Sequence, residues 1–402
     1  MDYSRYIVDK IKSMGESQTI AISEKAKQLK KQGIDVISFA TGEPDFDTPD
    51  NIKEKAIAAI RAGHTKYTAV AGIDELRSAV CAKLKNENHL DYSPDQVLVS
   101  CGAKHTMYNI SQVLFGAGDE VIIFAPFWVT YPAQVQLSGA SPVFVDTTTN
   151  SDMAISEDDL RKAVSDRTKA IILCSPSNPS GKVYSKKELE IVARLAIEND
   201  FIIIADEIYE KLVYDDFEFL SIAALGEDVK ERTITVNGVA KAFAMTGWRI
   251  GYAAGPQEII DAMRKIQGQA TSNPTSIAQH ASVEALLGSS ASVESMRKEY
   301  QKRRDVMVES VNAIEGFSCR NPEGAFYVFP KVSSLYSRAF GERKINNSVD
   351  LCSYLLDEAH VALVPGAAFG CDEYVRLSFA TDLESIQTGL ERLKQAVKKL
   401  KA

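Results

Sequence analysis

The chain has 402 residues, two to three times a domain of roughly 150, so a large core and a second domain both fit. Its 45% hydrophobic and 25% charged content, with 23 Gly and 13 Pro, excludes a disordered, collagen-like or rod-like chain. With 46 basic against 54 acidic residues the formal net charge is -8, which removes the global positive field that nucleic acid or anionic lipid would favour.

The first segment, MDYSRYIVDKIKSMGE, mixes charges with apolar residues, so it predicts no secretory signal and a cytoplasmic location. Residues 1–47 read as helix, a short strand DVISFA and the loop TGEPDFDTP, too little for a core of their own. They are expected to pack with the C-terminal part. From about residue 96, short apolar runs alternate with helical stretches: QVLVSC, a helix from about Ala103, EVIIFA, PVFVD, KAIILC, FIIIAD and TITVNG. Continuously apolar runs predict strands buried on both faces, as in a mostly parallel sheet covered by crossover helices. Ser156 before EDDLRKAV and Ser185 before KKELEIVARLAIEND read as helix N-caps followed by acidic first turns. The composition shifts near Ser289, where SSASVESMRKEYQKRRDVMVESVNAI predicts one long charged amphipathic helix ahead of a mixed segment with AFYVFP, VALV and YVRLSFA. The expected organisation is α/β: a large domain over 48–288, and a smaller α+β domain from 289–402 together with 1–47.

The longest apolar run, VIIFAPFWV, is about half the roughly 20 residues of a membrane span. The six cysteines (Cys81, Cys101, Cys174, Cys319, Cys352, Cys371) form no C-x-x-C pair and read as buried free thiols. The five histidines show no metal-ligand spacing, so no metal is expected.

The most informative stretch is GVAKAFAMTGWRIG, after the apolar run TITVN. A lysine among small residues, Lys241, is desolvated there, which favours the free amine that attacks an aldehyde. Asp206 ends the run FIIIAD, where a buried carboxylate calls for a cationic partner such as a protonated ring nitrogen, and Tyr209 follows three residues on. Asn178 in SPSNPSG lies beyond a strand's carboxyl end, where open α/β sheets bind ligands. Gly102 in SCGAKHTMYN opens a helix whose first N–H groups can cradle an anion, and Trp128 at a further strand end can stack on a planar ring. Taken singly, each has a plainer reading: a solvated lysine, a backbone-bonded Asp, a turn Asn-Pro, a core Trp. No G-x-G-x-x-G follows a strand, and Gly181-Lys182 has Pro176 and Val183 where a P-loop needs Gly and Ser or Thr.

Taken together, ATGEPDF, GAKHTMYN, PFWVTYP, SPSNPSG, DEIYE, NGVAKAFAMTGWRIGYAAGP, PEGAFYVFP and YVRLSFA resemble the fold-type I pyridoxal-phosphate aminotransferases, over nearly the whole chain and in the family's order. More narrowly, the chain is similar to the bacterial aspartate aminotransferases of the subgroup found in thermophiles and many other bacteria. The resemblance implies a seven-stranded sheet and pyridoxal 5'-phosphate held covalently by Lys241, which then moves the substrate proton. It implies Asp206 on the ring nitrogen, Tyr209 and Asn178 on the phenolic oxygen, and Trp128 on the ring face. The phosphate falls to Gly102, Ala103, Lys104 and Arg249, with Tyr67 reaching it from the other subunit of a homodimer. Arg376 and Gly42 would hold the substrate α-carboxylate, and Lys104 with Ser17 and Thr19 the distal carboxylate. Ser17 and Thr19 also read as helix caps before IAISEKAKQL.

The implied reaction moves an amino group between L-aspartate and 2-oxoglutarate, giving oxaloacetate and L-glutamate. Two departures stand out: Gly238 sits where many relatives carry a phosphate-binding serine, and Gly15 where prephenate-using relatives carry a basic residue. A prephenate or aromatic aminotransferase is the alternative, and a carbon-sulfur lyase, with no need of Lys104 and Thr19, the next. A transcription regulator built on this fold would need a DNA-binding domain ahead of TGEPDF, where only about 40 residues stand.

Overall fold

The computed structural model describes residues 3–12, 18–215 and 217–401. Seven strands form one sheet: β1 (Val97–Ser100), β2 (Glu120–Ala125), β3 (Ser141–Asp146), β4 (Thr168–Cys174), β5 (Ile202–Asp206), β6 (Thr233–Gly238) and β7 (Gly251–Ala254). They lie in the order β1-β7-β6-β5-β4-β2-β3. β7 runs antiparallel to both neighbours and the other pairings are parallel. Six strands coincide with the apolar runs; β7 has no β-branched residue and gives no such signal.

Alternate residues of each inner strand point to opposite faces. Ile122, Ile171, Leu173 and Ile203 pack with Leu189 and Val192 of the helix Lys186–Glu198. Val121, Ile123, Ile172 and Ile204 pack with Met107 and Ile110 of the helix Ala103–Leu114 and Met263 of the helix Gln257–Ala270. Both faces of the inner strands are therefore apolar, which explains their unbroken runs; the edge strand β3 departs from the expected two-sided burial, with Phe144 exposed and only Val145 buried. The helix starts behave as read: Ser156 Oγ accepts from the Asp159 N–H at 3.3 Å, and Ser185 forms a reciprocal box with Glu188.

Ile37–Ser38 pairs in parallel with Val361–Ala362. Tyr327–Val328 and Val364–Pro365 flank Val375–Ser378 in an antiparallel three-stranded sheet. Phe39 shares one core with Tyr300 and Met307 of the helix Ala291–Asn312, with Phe326 and Phe379, and with Ile208, Tyr209 and Leu212 just beyond β5. All six cysteines are free, but only Cys352 and Cys371 are buried; the other four are partly exposed, which corrects the expectation of six buried thiols. Among the described residues no helix is long and apolar enough to cross a membrane, and no group of three or more His, Cys, Asp or Glu could hold a metal ion.

Candidate active site

The segments leaving β1, β2, β4, β5 and β6 meet the loop around Gly42 and the strand bearing Arg376 at one cavity. Its wall includes Gly42, Ala103, Lys104, Trp128, Asn178, Asp206, Tyr209, Lys241, Arg249 and Arg376, all predicted from the sequence. It also includes Glu43, Tyr131, Cys174, Thr246 and Tyr327, for which no role was expected.

Lys241 follows β6, and its Nζ donates to Gly42 O at 2.6 Å. Thr48 and Glu43 hold the 41–48 loop in reach: Thr48 Oγ1 donates to Ala244 O at 2.7 Å, and Thr246 Oγ1 to Glu43 Oε2 at 3.0 Å. Burial first, then the repulsion of Arg376, bring the Lys241 ammonium down to about 8 against the opposing pull of Glu43 and Asp206. The amine is thus freed more readily than an ordinary lysine's, in the direction the sequence predicted.

Asp206 is buried at the end of β5. Its Oδ2 accepts from Tyr131 Oη at 2.6 Å and its Oδ1 from the Ile208 N–H at 3.3 Å. Burial raises its proton affinity, and those two bonds and the more distant Lys241 offset it only in part. Tyr131 also packs edge-on against Trp128, ring centres 5.4 Å apart. Tyr209 and Tyr327 share a 2.9 Å hydroxyl–hydroxyl hydrogen bond. Arg376 is buried, donating to Asn178 Oδ1 at 3.0 Å and Ala40 O at 2.8 Å, while its Nε has no partner among the described residues. Its guanidinium lies 4.5 Å from the centre of the Tyr327 ring.

At another part of the wall Gly102 precedes the helix Ala103–Leu114 with φ +88°, and a Cβ there would sit 2.4 Å from Arg249 Nη2. The first N–H groups of that helix have no acceptor within it. Arg249 has left-handed backbone (φ 56°), a strain of the kind functional sites retain, and Nη1 donates to Thr246 O at 2.8 Å. Lys104 Nζ lies 5.0 Å from the Trp128 ring centre, and burial together with Arg249 lowers its proton affinity.

Tyr67 does not line the cavity of its own chain and is 89% exposed. Thr19 falls in the helix Gln18–Lys31, with no description of its side chain, and Ser17, like Gly15, lies outside the described residues. Of the unexpected residues, Tyr131 carried a weak signal, standing one helical turn after Trp128, and Tyr327 sits inside the quoted AFYVFP.

The family model for aminotransferase class I and II matches residues 34–393. An aspartate aminotransferase of Bacillus sp. (strain YM-2) is 45% identical over 392 residues, covering 98% of this chain and 99% of that protein. A probable aspartate/prephenate aminotransferase of Rickettsia prowazekii is likewise 45% identical, covering 97% of this chain and 98% of that one. The crystal structure of the aspartate aminotransferase from Rhizobium meliloti superposes with a TM-score of 0.95 at 41% identity, covering 98% of this chain and 99% of that one. With the family matched along nearly all its length, and a lysine with a lowered ammonium, a buried aspartate and a buried arginine around one cavity, this chain belongs to the class I and II aminotransferases, enzymes that move an amino group from an amino acid to a 2-oxo acid.

Proposed function

We propose that the protein uses pyridoxal 5'-phosphate to transfer the amino group of L-aspartate to 2-oxoglutarate, giving oxaloacetate and L-glutamate. The carrying observation is one cavity in which Lys241, with its lowered ammonium, stands with Asp206, Arg376 and Lys104. The residues fit the cofactor. Burial leaves Asp206 short of a cation, which a protonated ring nitrogen would supply, and the cleft between Gly102 and Arg249 leaves no room for a side chain at position 102.

Bound pyridoxal phosphate supplies an aldehyde and a ring that withdraws electrons. Asp206 would hold the ring nitrogen, and Tyr209 with the amide Nδ2 of Asn178 the phenolic oxygen. Trp128 would cover the ring face, and Gly102, Ala103, Lys104 and Arg249 the phosphate. Arg376 uses two of its five N–H groups on Asn178 and Ala40, so the rest of its fork is available for the substrate α-carboxylate, beside Gly42. Lys241, once its amine is free, would take the proton from the substrate α-carbon and pass it on to the cofactor. Lys104, with Thr19 and Ser17, would hold the distal carboxylate that separates aspartate from alanine. Two features of the assembly complete the reading: Tyr67 reaches the phosphate of the other subunit in a cytoplasmic homodimer, and the 1–47 and 289–402 domain closes over the 48–288 domain to exclude water.

The test is a single-turnover titration of cofactor-loaded protein with a panel of amino acids, followed by the absorbance change as the cofactor takes up the amino group. Aspartate and glutamate should convert it quickly and alanine slowly, Lys104→Ala should slow the dicarboxylic pair selectively, and Lys241→Ala should abolish turnover. Conversion chiefly by arogenate or aromatic amino acids would replace the substrate reading with the aspartate/prephenate one. Ordinary turnover in Lys241→Ala would overturn the assignment.

A further inference from the structure

Behind the cavity wall, away from the residues that line it, lies a buried ionic cluster centred on Glu210. The Glu210 side chain is 8% exposed and that of its ion-pair partner Lys83 is 1% exposed. Lys83, from the helix Asp74–Asn88, donates to Asn88 Oδ1 at 2.6 Å, and Asn88 Nδ2 donates to Glu210 Oε2 at 2.7 Å. The other carboxylate oxygen, Oε1, accepts from Asn237 Nδ2 at 2.7 Å. Asn237 in turn accepts the Gly238 N–H on its Oδ1 at 2.7 Å. Burial alone would raise the Glu210 carboxyl, but Lys83 and Asn88 hold it below its ordinary value.

This placement matters because of what lies on either side. Glu210 follows Tyr209 directly, in the turn that leaves β5. Asn237 and Gly238 close β6, three to four residues before Lys241. β5 and β6 are neighbouring parallel strands whose pairing runs out at Asp206 and Val236. The last backbone bond between them runs from the Glu207 N–H to Val236 O at 2.8 Å, and beyond it the Glu210 carboxylate spans the two segments. A buried ion pair gives little or no net stability over an apolar pair of the same volume, so its use here is better accounted for by geometry.

Building on the function proposed above, we propose that Glu210, anchored by Lys83, is a positioning residue that fixes the Tyr209 turn against the Lys241 segment through Asn237. It touches neither cofactor nor substrate and acts only through those two groups.

The test uses cofactor-loaded protein and the Glu210→Gln variant, which keeps the shape and removes the charge. The readouts are the pH midpoint of the bound cofactor's absorbance, which reports the Lys241 linkage, and kcat and KM for aspartate. Glu210→Gln should move that midpoint by half a pH unit or more and lower kcat about ten-fold, with KM changed less than three-fold. Asn237→Ala, which cuts only the link to the Lys241 segment, should move the midpoint in the same way with the Lys83–Glu210 pair intact. If Glu210→Gln does not accumulate as folded holoenzyme, Asn237→Ala carries the test by the same criteria. A midpoint and kcat equal to wild type, with only the melting temperature lowered, would reduce the cluster to structural support and overturn the proposal. Failure of the wild-type protein to bind the cofactor would instead strike the function proposed above.

Discussion

Tyr131 shows what a single side chain adds at this site. Its hydroxyl bonds Asp206 at 2.6 Å while its ring backs Trp128, so one buried residue steadies both the carboxylate and the ring expected to cover the cofactor. A hydrogen bond to a charged group contributes roughly 1.5–3 kcal/mol, and 1.4 kcal/mol corresponds to a factor of ten in an equilibrium constant. Tyr131→Phe keeps the ring and loses the donor, so the Asp206 carboxylate should hold a protonated ring nitrogen less firmly. The cofactor dissociation constant, read by titrating the apoprotein, should rise about ten-fold; an unchanged constant would mean that the hydroxyl does not steer Asp206. Lys241 and Asp206 were legible in the sequence because charged residues at the ends of apolar runs stand out. The Tyr131 bond was not, since it spans 75 positions and joins segments leaving β2 and β5, between which β4 intervenes. Only the order of strands in the sheet brings them together, and local pattern does not encode that order.

Elements show the same limit from another side. Six strands announced themselves as apolar runs, whereas β7, GYAA, is defined by what it must not carry: a Cβ on Gly251 would lie 2.2 Å from Ala103 N, at the start of the helix expected to hold the phosphate. Strand alternation also explains why adjacent acids differ, since Asp206 lines the cavity at the end of β5 and Glu207 does not. Glu207 is buried, Ser221 donates to its Oε1 at 2.6 Å, and its Oε2 has no partner among the described residues. Burial, reinforced by Glu210, pushes its carboxyl up to about 8. The sign follows from proton counting: between about 4.5 and 8 the native state keeps a proton that the unfolded chain releases, so this group makes stability fall as pH rises. Glu207→Gln keeps the Ser221 bond and carries no titrating proton. Across that window the stability of the variant relative to wild type should grow with pH by up to about 1.4 kcal/mol per unit, as measured by urea unfolding at pH 6 and 8. Parallel pH dependences would show that Glu207 is ionised in the native protein.

At the scale of the whole molecule, the packed helices Asp50–Arg61 and Ser276–Leu287 present an outer surface with Ile60 at 53% and Leu287 at 58% exposure. Tyr67 follows at 89%. Large apolar side chains left exposed are suited to a partner, and a two-fold pair would bring the same residues to the interface from both copies. Tyr67 makes this testable, because it is absent from the cavity of its own chain and belongs, in the proposed dimer, to that of the neighbour. Lys241→Ala should be inactive, and Tyr67→Ala severely impaired through loss of a phosphate contact. In a mixed dimer of the two, one site combines intact Lys241 with intact Tyr67 and the other lacks both. Random exchange of equal amounts makes half the dimers mixed, each with one good site, so activity should recover to about a quarter of the wild-type value. If Tyr67 served its own subunit, every site in the mixed dimer would carry one defect, and subunit exchange would restore nothing.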